Sequence, residues 1–187
     1  MKRRTFITQL ITSAGTAALG GRVSFVWAQN RLYLTEEQAL RLTFPKSERV
    51  LKETHVLSDD ELEVVEKRLR FRLSDRSFTF YRGESSSGTD GYATIANEIG
   101  KDQFITFIVG IRPDFKVQRV ALMVFRESRG WEVDDPRFTD QFRGKSVKDR
   151  LVVSSDIEAV TGATLSSRAF CRGTKKALVI CEAIYRK

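Results

Sequence analysis

The chain has one histidine, His55, and two cysteines, Cys171 and Cys181. A single imidazole leaves no multi-histidine metal site and no histidine-centred triad to argue for. His55 is expected at the surface or at a helix edge. The cysteines fall ten positions apart on one helical pattern, roughly 15 Å of rise, which is beyond disulfide reach in a straight helix. They read as core or half-buried thiols. There is no C-x-x-C, so neither a zinc site nor attached c-type haem is suggested. No glycine-rich nucleotide fingerprint, no internal repeat and no lipobox cysteine is found. Acidic residues are missing from positions 1–28, where Lys2, Arg3, Arg4 and Arg22 supply half of the net charge of +8. The +4 left on residues 29–187 is spread along the chain. A nucleic-acid partner is not implied, because a basic stripe and a recognised binding module are both lacking.

Residues 1–28 read as a targeting segment. Lys2-Arg3-Arg4-Thr5-Phe6-Ile7 resembles a twin-arginine export signal. A moderately apolar run follows, and Val26-Trp27-Ala28 offers cleavage after Ala28. The alternative is a retained anchor, for which Arg22 and the many small polar residues make a poor span. Residues 29–187 then form one domain, placed outside the cytoplasm, in the periplasm, either soluble or membrane-associated.

Two helix starts are legible. Thr35-Glu36-Glu37-Gln38 and Ser58-Asp59-Asp60-Glu61 both have capping-box form. The first helix should run to about Leu42 and end at Phe44-Pro45. The second continues through Leu62, Val65 and Leu69 at helical spacing. Strands are expected at 49–56, 78–81, 91–99, 104–111 and 117–125, the last three as an antiparallel meander turned at Arg112-Pro113-Asp114. The Ser/Gly-rich stretch from Gly83 to Gly91 reads as the most flexible loop. A short helical piece fits 136–142, and Leu151-Val152-Val153 is a last strand candidate. Helices at both ends of an antiparallel sheet predict an α+β domain, closed by a C-terminal helix.

That helix follows Thr161-Gly162-Ala163-Thr164-Leu165-Ser166-Ser167. Its apolar face runs through Ala169, Phe170, Gly173, Ala177, Ile180 and Ile184. Thr161 or Thr164 is a candidate N-cap. A small-residue turn before a helix also leaves free amides and the positive dipole end, which suit a phosphate.

The turn resembles the [Ser/Thr]-Gly-Ala-Thr signature of the FMN-binding domain family. That family includes flavin-carrying subunits of the sodium-pumping NADH:quinone oxidoreductase and the Rnf complex. At average residue usage the four-residue core arises by chance in fewer than about one in a hundred chains of this length. Further matches lie at Gly83, Gly91-Tyr92 and Gly100-Lys101. Glu127-Ser128, within Arg126 to Val133, stands where the family carries Glu-Thr. Phe138, Gln141-Phe142 and Gly144-Lys145 resemble its Phe…Gln-Phe-x-Gly-Lys segment. Glu158 occupies the place where many members carry Asp.

The resemblance implies FMN esterified to Thr164 by a dedicated flavin transferase. Amides of the helix start, with Ser166 and Ser167, would hold the phosphodiester. Gly162 and Ala163 allow close backbone approach, with Thr161 and Leu165 flanking. Glu127, Ser128, Arg129 and Gly130 could reach the flavin ring edge or ribityl hydroxyls. Trp131, Phe138 or Phe142 could stack on the ring or pack in the core. No residues are arranged for a second substrate. The expected role is electron relay between redox proteins, possibly of a membrane complex. The rival readings are non-covalent FMN binding and a structural subunit without cofactor.

Overall fold

Two capping boxes start the first two helices, as their sequences require. In a computed structural model, which describes residues 31–186, Thr35 and Ser58 each accept a bond from the third helical amide. Gln38 and Glu61 reach back to the cap amides. The export segment lies outside the described residues. In chain order the elements are β1 (Arg31–Leu32), α1 (Glu36–Thr43), β2 (Arg49–Val56), α2 (Asp59–Leu69), β3 (Ser77–Ser85), β4 (Gly88–Ile99), β5 (Phe104–Ile111), β6 (Val117–Phe125), α3 (Pro136–Thr139) and α4 (Thr164–Tyr185). Single 3-10 turns sit at Trp131–Asp134 and Asp140–Phe142.

The six strands form one sheet in the order β1-β6-β5-β4-β3-β2, with every neighbouring pair antiparallel. The α+β architecture with a closing C-terminal helix is therefore the observed one. Alternate residues of each strand face opposite sides, and both sides are used. On one side α4 and α2 cover Phe80, Ala96, Phe107 and Val109. On the other, α1 covers Tyr81, Ala93, Ile108 and Met123.

The long helix is held on the sheet by shape and by charge. Phe170 stacks on Phe107 with centroids 4.1 Å apart. Gly173 lies so close to the sheet that an added Cβ would stand 2.6 Å from Phe107. Beside it, buried Glu98 of β4 receives Arg172 Nε and Lys176 Nζ, each at 2.5 Å. A buried carboxylate needs such partners, because an unpaired one would bear the full desolvation cost.

Three local expectations are corrected. The stretch 83–91 is not a flexible loop but a β-hairpin, with β3 running to Ser85 and β4 starting at Gly88. The Ser and Gly residues that suggested slack instead serve a tight turn and a register shift at Gly83/Glu84. Leu151–Val153 makes no strand, only an isolated bridge from Val153 to Ile157. Its segment is organised by Asp156, whose carboxylate accepts from the amides of Leu151 and Val152, both at 2.9 Å. Of the two places expected for His55 the helix edge is corrected, since it lies on β2, partly exposed. Its Nε2 is 2.9 Å from the hydroxyl of Tyr185, near the end of α4.

Candidate functional site

The start of α4 is unusual in having no side-chain cap. Ala163 occupies the N-cap position, and among the described residues no side chain accepts from the first-turn amides. The expectation that Thr161 or Thr164 caps the helix is thus corrected. Thr164 is the first helical residue, and its exposed hydroxyl makes no hydrogen bond among the described residues. Gly162, with φ +79°, supplies the left-handed turn that brings the chain into the helix; a side chain there would be strained. Ala163 is buried under this turn, while Thr161, Gly162, Thr164 and Leu165 face solvent.

The two serines behave differently from the expectation that they face an anion. Ser167 is fully buried and already committed. Its hydroxyl accepts from the Val160 amide at 3.2 Å and donates to the Ala163 carbonyl at 3.0 Å. It therefore holds the turn itself in shape. Ser166 is also buried, and its hydroxyl faces the backbone of Gly130.

That contact joins the two sequence motifs. Gly130, with φ +93°, packs against the helix start. A Cβ on it would lie 2.8 Å from Ser166 Oγ and 3.3 Å from Ala163 Cβ. Residues more than thirty positions apart thus meet at one edge, with Ser128 and Arg129 exposed on the loop. Trp131 follows, 37% exposed. One face of its ring is covered by the guanidinium of Arg31, 4.2 Å from the centroid. Arg31 gave no sequence signal, since β1 is only two residues long and pairs with the far end of β6.

Glu127 has a structural task. Its Oε1 accepts from the amides of Lys101, Asp102 and Gln103 at 2.6, 2.7 and 2.9 Å. It thereby closes the β4–β5 turn and aligns the loop that carries Ser128 to Gly130. It makes no ion pair with Arg126, whose guanidinium instead binds the Phe104 carbonyl and Thr106. Phe142 is completely buried and Phe138 nearly so, both packed around Phe170. Neither ring has a free face, so of the three aromatic candidates only Trp131 remains at the surface.

A second group of residues shapes the segment before the turn. Gln141 clamps the backbone of Glu158, accepting from its amide at 2.7 Å and donating to its carbonyl at 3.3 Å. Lys145 lies 3.6 Å from Asp156. Burial opposes ionisation of Asp156, but the Val152 and Leu151 amides and Lys145 outweigh it and hold its carboxyl below the usual range. The glutamine and lysine of the 138–145 segment therefore brace the approach to Thr161.

The class of protein is set by this geometry: an α+β domain presenting a free threonine hydroxyl at an uncapped helix start, beside a glycine-hinged loop. Residues 100–179 match the family model of the FMN-binding domain, from the β4–β5 turn through most of α4. The chain is 27% identical over 135 residues to a subunit of a proton-translocating ferredoxin:NAD(+) oxidoreductase complex of Clostridium ljungdahlii, covering 68% of this chain and 72% of that protein. It is 25% identical over 135 residues to the corresponding subunit of a Na(+)-translocating ferredoxin:NAD(+) oxidoreductase complex of Acetobacterium woodii, covering 65% and 64%. The solved Shewanella oneidensis NqrC shares the fold, with TM-score 0.51 at 19% identity over 74% of this chain and 81% of that one. The chain resembles these subunits, and its residues 100–179 resemble an FMN-binding domain. Among the described residues, no helix is long and apolar enough to cross a membrane.

Proposed function

We propose that this chain is an exported carrier of FMN, joined through a phosphoester to Thr164, that relays electrons between redox partners of a membrane-associated complex. The observation that carries the reading is the free, exposed hydroxyl of Thr164 at an uncapped helix start. A helix N-terminus favours an anion through its open amides and dipole. Here a phosphodiester on Thr164 would supply the missing acceptor. Gly162 leaves open space, with no atom within 4 Å of a Cβ built on it.

Attachment forms a bond from Thr164 Oγ to the flavin phosphate, with net loss of one water relative to free FMN, and is assigned to a flavin transferase. When bound, the flavin supplies reversible electron transfer. The chain's own residues position and shield. Ser167 and Gln141 keep the turn and its approach rigid, while Glu127 sets the loop that faces the helix start. Trp131 offers an aromatic surface at the same edge, and Ser128 and Arg129 offer polar contacts. The names of the two ferredoxin:NAD(+) oxidoreductase relatives supply the setting of a multisubunit redox complex. The twin-arginine-like residues 2–7 supply the route to the periplasm.

The test is intact mass after co-expression with a flavin transferase, for wild type and Thr164→Val. Wild type should gain the mass of FMN less one water, and the variant should gain none. Yellow colour released on denaturation, without mass gain, would mean non-covalent binding. Neither colour nor mass gain would leave a structural subunit as the reading.

A further inference from the structure

Arg119 on β6 is half-buried, yet among the described residues its guanidinium makes no hydrogen bond and no ion pair, and its Nε is shut off from solvent. Leaving a guanidinium so placed is costly, because burial removes water without supplying a counter-charge. Arg119 lines a pocket of about 310 Å³ beside the edge of β6, which β1 covers only at Val124 and Phe125. Arg143 lines the same pocket and is held by Asp140 at 3.0 Å. Burial first, and then Arg143, disfavour the charge on Arg119, with Asp140 acting the other way. The remaining carboxyl, Asp134, also lines the pocket, without a partner among the described residues, and burial pushes its pKa up. Leu34, Leu42 and Pro136 supply the apolar part of the wall.

We propose that this pocket is an oxyanion site, in which Arg119 and Arg143 take a carboxylate or phosphate borne on a small apolar body. Arginine's planar fork of donors suits both anions. The anion does not come from the chain's own first thirty residues, which contain no acidic side chain. The site is independent of Thr164 and of the flavin reading.

The test uses the full chain, titrated with inorganic phosphate and separately with benzoate. The readouts are the melting temperature and the Arg119 Nε–H resonance. Both should move saturably in wild type. Arg119→Gln should weaken binding by at least about tenfold, the loss of one charge-assisted bond. Arg119→Met, which removes the unpaired charge while keeping most of the unbranched apolar stem, guards against a misfolded variant and should lose the same response. Binding confined to vesicles of anionic phospholipid, and lost in these variants, would assign the anion to a lipid headgroup. Equal anion responses in wild type and variants would overturn the proposal. So would no response anywhere, the outcome if Arg119 and Asp134 pair in solution and close the pocket.

Discussion

Replacing Gly130 by alanine should disrupt the meeting of the 127–131 loop with the helix start, and Gly162→Ala provides the comparison. Both glycines have positive φ, +93° and +79°. An alanine in that region costs about 1–2 kcal/mol. Part of this, about 0.4–1 kcal/mol, is offset because alanine also restricts the unfolded chain. Gly162 has open space around it, so its substitution should cost about 0–1.6 kcal/mol net. At Gly130 the new methyl would meet Ser166 Oγ at 2.8 Å and Ala163 Cβ at 3.3 Å. Ser166 is buried and Ala163 belongs to the turn, so neither can move far. Overpacking of this kind adds about 1–3 kcal/mol, for a total of about 1–4.5 kcal/mol. Urea denaturation of the two variants reads the difference directly, because the backbone terms largely cancel. If Gly130→Ala is no more destabilising than Gly162→Ala, the loop does not rest on the helix start and the geometry of the site is wrong.

Other outcomes follow from single contacts. Glu127→Ala should cost about 2 kcal/mol or more, since three amides of the β4–β5 turn lose a charged acceptor; amide exchange at residues 101–103 should quicken, and unchanged protection there would exclude the role. Asp156→Asn should destabilise at neutral pH, because the folded state holds this carboxyl below its reference value of 3.8. A depressed carboxyl contributes stability above the unfolded pKa and loses it as pH falls through the folded one. The gap between wild type and variant should therefore narrow as pH falls below about 4, and denaturation curves in which it does not narrow at all between about pH 6 and pH 2 count against this. Burial pushes the Cys171 thiol up to about 12, and Cys181 is raised too. Neither should react with a thiol reagent in the native protein at pH 8, and both should react on unfolding; rapid labelling without denaturant would contradict the packing of α4.

Local chemistry was legible where it is self-contained. The capping boxes at Thr35 and Ser58 complete their bonds within four residues, so their sequences announce them. The meander from Gly91 to Phe125 was readable because its apolar content exceeds what a loop carries. The hairpin at 83–91 is not legible because Ser and Gly suit a turn as well as slack, and only the pairing of β3 with β4, and of Gly83 and Glu84 with β2, distinguishes the two. Leu151–Val153 looks like a strand from its β-branched residues, but among the described residues no neighbouring strand pairs with it and the Asp156 turn wins.

The sequence by itself determined the fold class, the small-residue turn at Thr161–Thr164 and the helix that follows, because these depend on spacing and backbone freedom along a few residues. Only the tertiary structure decided which candidates share the site. It drew Gly130 onto Ser166 and laid Arg31 over Trp131. It sent Phe142 into the core and gave Glu127 to the β4–β5 turn. Such contacts join positions far apart in the chain, and close packing of the sheet against α4 is what selects among them.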